Sequence, residues 1–252
     1  MGKACSWMLL ATLALVGCQR EAAVPWQQTT LSLEALDNLA YPPFLIDTQR
    51  AARYREQGLA FRQQGDFERA IATLKIAAAL APQNAEGQVL LGWTQHLAGY
   101  PAPAVDALEA ALRHNPDHVP ALNALGIVYL VDGQLEAAVD THTLAASLQP
   151  DNEIAHYNLS LAYQRLGQPE QAIAAAQLAT KLEPGNPHPW VALALAYWSA
   201  QDSPQAIANY RQALALDSRY ASRTYLDHLA QAGFSPDQIA ATEAIRQAAG
   251  GL

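Results

Sequence analysis

The sequence predicts an all-α chain, a solenoid of about five helix-turn-helix repeats closed by C-terminal capping helices. Three observations predict it. Apolar residues recur at three- and four-residue spacings, the mark of helices with one buried face. A frame of 34 residues recurs five times without insertion between Ala51 and Tyr220. Glycine and proline punctuate the frames at fixed offsets, where a tight turn and a helix stop belong.

The middle frame, Val119 to Asn152, shows the unit most plainly. Leu122, Leu125, Gly126 and Tyr129 precede Gly133; Leu135, Ala138, Ala145, Leu148 and Pro150 follow it. The other frames are 51–84, 85–118, 153–186 and 187–220, and with the middle one they lie within the array region 47–220. Gly58, Gly92, Gly126, Ser160 and Ala194 hold the eighth position, and Ala70, Ala104, Ala138, Ala172 and Ala206 the twentieth. Small residues there let the two helices of a repeat approach closely; larger ones would cost about 1–3 kcal/mol each in overpacking. Proline near the end of a frame stops the second helix, because it cannot extend the hydrogen-bond ladder. The fifth frame has Ser218 in its place. At the twenty-fourth position, otherwise Leu or Tyr, stand His142 and Ala176. His142 is expected to be a packed, hydrogen-bonded histidine beside a small neighbour, rather than a switch or ligand anchor.

Residues 221–252 read as the cap. A helix is expected over Ala221 to Gln231, carrying Tyr225, Leu226 and Leu229, with Gly233 as its stop. Ser235-Pro236-Asp237-Gln238 has the form of an N-cap, a proline at the first helical position and a capping-box glutamine. Phe234 and Ile239 are placed as a hydrophobic staple, and the last helix is expected to reach about Gln247.

The order of Leu-Gly, Tyr, Ala and Pro over this period resembles the tetratricopeptide repeat (TPR). The resemblance covers the five frames and implies a right-handed superhelix. In that family, inner positions on each repeat's first helix line a concave groove that binds peptides or protein segments. Carried over by position they are Arg55, Leu59, Arg62 and Gln63; Val89, Trp93, His96 and Leu97; Asn123, Ile127, Leu130 and Val131. The fourth and fifth frames supply Tyr157, Leu161, Gln164 and Arg165, then His188, Val191, Leu195 and Trp198. Trp93, Tyr157 and Trp198 resemble interface hot spots, and Arg62 and Arg165 are placed to pair with acidic groups or a chain terminus. The carboxylate clamp of chaperone-cofactor TPR domains is matched at Arg55 but not at Leu59, Leu90, Pro120 or Ala124. The implied partner is a protein or peptide segment in the groove, making the chain a scaffold or assembly factor. Self-association into a homo-oligomer through the same face, or an adaptor role toward a cell-wall enzyme, is the alternative. A third outcome is that Trp26 to Phe44 folds back, or a tight superhelix closes, and buries the strip as ordinary core.

Residues 1–17 have the layout of a signal peptide: Lys3, an apolar run from Trp7 to Val16, then Leu15-Val16-Gly17-Cys18. That run is short of the roughly 20 residues that span a bilayer. It resembles a bacterial lipobox, which implies an acylated Cys18, a membrane anchor and an extracytoplasmic location. Gln19, rather than Asp, implies the outer membrane facing the periplasm. Two other readings are an ordinary cleaved signal with an incidental cysteine, and myristoylation of Gly2 beside Cys5. Myristoylation leaves the apolar run without a purpose, so the lipobox is preferred. Residues 18–46 would then be a tether, with Tyr41-Pro42-Pro43-Phe44 extended. It would span roughly 30 Å as a coil and about 95 Å when stretched.

Other chemistry is not motivated. A net charge of −8, with no Lys/Arg-rich run, argues against nucleic acid. Both cysteines precede residue 19, so no disulfide framework or cysteine metal site is expected. His114 and His118 flank Pro116 and read as exposed loop histidines rather than metal ligands. No phosphate loop, nucleophile elbow or His-Glu-x-x-His is present, so no catalytic residue or cofactor is assigned.

Overall fold

The computed structural model describes residues 46–250. The expected signal peptide, Cys18 and the tether up to residue 45 lie outside them.

Ten α-helices pair into five hairpins that follow the predicted frames. Repeat 1 is α1 (Thr48–Gln63) and α2 (Phe67–Leu80); repeat 2 is α3 (Ala85–Leu97) and α4 (Pro101–His114). Repeat 3 is α5 (Val119–Asp132) and α6 (Leu135–Leu148); repeat 4 is α7 (Glu153–Arg165) and α8 (Pro169–Leu182). Repeat 5 is α9 (Pro187–Ser199) and α10 (Ser203–Leu216).

The sequence starts and stops these helices by local chemistry. Asn84, His118, Asn152 and Asn186 end their repeats, and each caps the next helix through a side-chain acceptor. Asn84 accepts from the Gly87 N–H at 2.7 Å. His118 is therefore not an exposed loop histidine. Its Nδ1 accepts from the Ala121 N–H at 3.1 Å while Nε2 faces Glu86 at 3.0 Å. Where α4 and α8 lack a side-chain cap, Pro101 and Pro169 hold the first helical position instead. Within each hairpin the turn closes with a bond from the residue after the turn back five positions, as from the Asp66 N–H to the Phe61 carbonyl at 2.9 Å. That geometry needs a left-handed residue, supplied by glycine in four repeats and by Gln201 (φ 61°) in the fifth.

The core is a row of small-against-large contacts. The five alanines at the twentieth position are all fully buried. A Cβ at Gly58 would lie 2.6 Å from Leu74 Cγ, and one at Gly92 2.7 Å from Leu108 Cγ. In repeat 3 the partner of the glycine is His142, whose Nε2 would meet a Gly126 Cβ at 2.5 Å. Repeat 4 inverts the arrangement, with Ser160 at the eighth position and Ala176 at the twenty-fourth, both buried. Tyr210 fills the same place in repeat 5, and its hydroxyl donates to the Tyr220 carbonyl at 2.8 Å. His142 is packed beside a small neighbour as expected, but it is not hydrogen-bonded. Neither ring nitrogen has a properly placed partner.

After α10 the expected α-helix is replaced by two 3₁₀ segments, Ser218–Ala221 and Arg223–Ala232. The apolar residues Leu226, Leu229 and Ala232 are three apart. A threefold helix keeps them in one row, whereas 3.6 residues per turn would rotate them away. The final helix, α11 (Pro236–Gly250), runs to Gly250 rather than Gln247. Its capping box is as read from the sequence. The Ser235 N–H donates to Gln238 Oε1 at 2.9 Å, and the Gln238 N–H to Ser235 Oγ at 3.3 Å. Phe234 and Ile239 are buried in the same cluster.

Candidate functional site

The first helices of the repeats, α1, α3, α5, α7 and α9, present the predicted inner positions. Their fates diverge along the array. The ninth position carries Leu59, Trp93, Ile127, Leu161 and Leu195 in order. Leu59, Trp93 and Ile127 are half-buried, while Leu161 and Leu195 are buried.

The chain's own C-terminal segment covers the far half of the wall. Leu130, Leu161, Val191 and Leu195 share one buried cluster with Leu226, Leu229, Phe234 and Ile245. Trp198 packs against the same cluster. The Tyr157 hydroxyl donates to the Ala232 carbonyl at 2.6 Å, and burial holds this phenol well above its ordinary pKa. Gln238 donates through Nε2 to the Leu161 carbonyl at 3.1 Å and to Gln164 Oε1 at 2.8 Å. This corrects the sequence reading twice. Leu130, Leu161, Val191 and Leu195 belong to the core rather than to an open groove, and what covers them is the 3₁₀ segment with α11. Whether Trp26 to Phe44 also approaches the wall falls outside the described residues.

Two predicted polar contacts are also committed internally. Arg165 donates through Nη1 to the Leu130 carbonyl, so it is not held out for an acidic partner. Burial lowers its pKa, and the charge of Asp237 works in the opposite direction. Asn123 and Asn152 exchange amide hydrogen bonds at 3.0 and 3.2 Å.

The rest of the wall stays open. A cavity of about 600 Å³ is lined by Trp93, His96 and Leu97 of α3, Ile127 and Val131 of α5, and Glu153, Ile154 and Tyr157 of α7. Glu183, Asn186 and His188 complete one side, and Ala230 to Gly233 form another wall. Leu97 is 46% exposed and Val131 52%, which is unusual for branched aliphatics on facing helices. A second cavity of about 430 Å³ lies toward the N-terminal end, between Arg55, Leu59 and Arg62 of α1 and Glu86, Val89 and Trp93 of α3. Trp93 lines both cavities, and its ring lies 5.1 Å from that of His96. Burial lowers the pKa of His96; burial first, and then the charge of His228, lowers that of His188.

Of the twenty groove residues assigned from the sequence, eleven line one of the two cavities: Arg55, Leu59, Arg62, Val89, Trp93, His96, Leu97, Ile127, Val131, Tyr157 and His188. Glu153, Ile154, Glu183 and the Ala230–Gly233 wall were not anticipated. The only signal for them was Gly233, whose left-handed backbone (φ 88°) turns the chain against Leu130 and Leu161. Among the described residues no group of three or more His, Cys, Asp or Glu could hold a metal ion. No described helix is long and apolar enough to cross a membrane. What the open wall offers is a binding surface of aromatic and aliphatic side chains with polar groups at its edges.

Tetratricopeptide repeat profiles match residues 61–125, 98–153, 154–186 and 187–220. A crystal structure of MamA is 27% identical, covering 65% of this chain and 96% of that one with a TM-score of 0.58. MamA residues 41 to the end from Desulfovibrio magneticus RS-1 are 25% identical, covering 69% and 98%, with a TM-score of 0.62. TTC0263, a thermophilic TPR protein of Thermus thermophilus, is 24% identical over 67% and 92%, with a TM-score of 0.56, and shares the fold. No curated protein matches by sequence. With the repeat profiles running unbroken from residue 61 to 220 over hairpins that keep the 34-residue frame, this chain belongs to the tetratricopeptide repeat family.

Proposed function

We propose that the chain is a non-enzymatic scaffold or assembly factor that holds a polypeptide segment of a partner protein in the open part of its inner wall. One observation carries the reading: the cavity around Trp93, Leu97, Ile127 and Val131 leaves aliphatic and aromatic surface uncovered, although the same wall is filled at Leu161 of α7 and Leu195 of α9. Apolar surface of that kind gains free energy when a partner displaces its water. The sequence supports a setting for this activity. An acylated Cys18 would tether the array to the extracytoplasmic face of a bacterial membrane, within reach of partners in an envelope or membrane complex.

Photo-crosslinking residues placed at Trp93 and Leu97 in intact cells, read by mass spectrometry, test the binding. Crosslinks to one partner segment are expected; background alone from a correctly localised protein would overturn the reading, and crosslinks to a second copy would favour self-association. Cys18→Ala tests the anchor separately. The variant is expected to leave the membrane fraction, and continued partition there would remove the lipid anchor from the picture.

A further inference from the structure

The larger cavity carries charge of one sign. Glu153 and Glu183 are the carboxylates on its lining, and neither Lys nor Arg lines it. His96 and His188 also line it, but burial disfavours the cationic form of each, against a smaller upward pull of Asp217 on His188. Arg165, the cation expected here from the sequence, is bonded to the Leu130 carbonyl instead. Glu183 receives one hydrogen bond, from Asn186 Nδ2 at 2.8 Å on Oε2. Glu153 lies in the first turn of α7, at the positive end of the helix dipole. The smaller cavity is different in kind, since Arg55 and Arg62 face Glu56 and Glu86 there.

Resting on the peptide-binding reading above, we propose that the larger cavity takes an apolar polypeptide segment bearing a positive charge. An aliphatic or aromatic anchor fills the space beside Trp93, Leu97 and Ile127, and a neighbouring lysine or arginine pairs with Glu153 and Glu183. A segment with a carboxylate at that place would face two like charges and no counter-cation. The walls at Ala230 to Gly233 add a limit, because a segment entering from the repeat 2 side must turn or end there. The preference is therefore opposite to that of a groove lined with cations for acidic tails. Glu153 is half-buried and Glu183 exposed, so the discrimination is set by two modest ion pairs rather than one strong one.

The test uses the full chain and three pools of acetylated, amidated dodecapeptides. All have Leu, Ile, Phe or Trp at four positions and Ser or Gly spacers, and they differ only in one residue beside the anchors: Lys, Gln or Glu. Fluorescence anisotropy at low salt is expected to rank Lys over Gln over Glu, with Lys roughly fivefold tighter than Glu. The gap should shrink as salt rises. In the double variant Glu153→Gln with Glu183→Gln the three pools should bind alike, with the Gln pool unchanged from wild type. Binding without a charge ranking, or a ranking that survives in the double variant, overturns this inference while leaving peptide binding intact. No binding by any pool overturns both readings.

Discussion

Repeats 1 and 5 place the same residue at the same inner position and give it opposite surroundings. Leu59 of repeat 1 borders an open cavity, whereas Leu195 of repeat 5 is 0% exposed and Leu161 of repeat 4 is 1% exposed. The backbone frame is the same in all three, down to the turn bond that closes each hairpin. The difference comes from outside the repeats, from the Leu226–Leu229 row and Phe234 lying along repeats 3 to 5. A repeat signature thus specifies a wall, and only the rest of the chain decides which part of the wall stays available. In this protein the available part is displaced toward the N-terminal repeats.

The largest expected effect tests that contrast directly. Leu161→Ala and Leu195→Ala each remove a fully packed side chain and should cost about 2–5 kcal/mol in urea unfolding. Leu59→Ala removes a half-exposed one and should cost under about 1 kcal/mol. Equal losses at the three positions would mean that the C-terminal segment does not cover the wall in solution.

Repeat 3 lies between the two halves and contains the least comfortable core residue. His142 is fully buried without a well-placed hydrogen bond, and burial drives its pKa from 6.5 down to about 3 against a weaker upward pull from the Gly126 backbone. The native state therefore refuses a proton that the unfolded chain accepts between those two values. Stability from this group is present above about pH 6.5 and is lost progressively as the pH falls toward 3. Between about pH 7.5 and 4.5 that loss is about 2–3 kcal/mol. Repeats 1 and 2 show that leucine fits opposite a glycine at this place, as Leu74 does against Gly58 and Leu108 against Gly92. His142→Leu should then raise stability by about 1 kcal/mol at neutral pH, by removing unpartnered polar atoms, and flatten the acid dependence by about 2–3 kcal/mol. Urea midpoints of both proteins at the two pH values check it; parallel pH profiles would show that His142 is solvated. Gly126→Ala presses a methyl into the ring and should cost about 1–3 kcal/mol, a loss that pairing with His142→Ala recovers in part.

How much of this was legible follows from the range of each interaction. The hairpins and the Ser235–Gln238 box depend on residues three to five apart and were read from the sequence, whereas the equally local cap at His118 was taken for an exposed loop histidine. Small residues at the eighth and twentieth positions likewise told where helices meet. The covering of the wall was not legible, because its bonds join residues 75 and 77 positions apart, Tyr157 to Ala232 and Gln238 to Leu161. Nor was the 3₁₀ form of Arg223–Ala232, since ten residues are too few to separate a period of 3.0 from 3.6. The inner positions taken over from the family described where side chains point and were silent on whether the chain itself would occupy the space.

The smallest expected effect asks how firmly the covered half is held. Ser235 caps α11 from solvent-accessible ground, whereas Gln238, its partner in the box, also reaches the Leu161 carbonyl and Gln164. Ser235→Ala removes one acceptor from a helix start and should cost about 1 kcal/mol. Gln238 keeps its bonds to α7, so the wall at Ala230 to Gly233 should keep its place. Hydrogen exchange should accordingly quicken in the first turn of α11 and stay unchanged in α7 and α9. Faster exchange spreading into α7 would mean that the cap and the cover unfold as one unit. In that case the border between open and filled wall would shift with the stability of α11, and the cavity beside Trp93 would grow at the expense of the core.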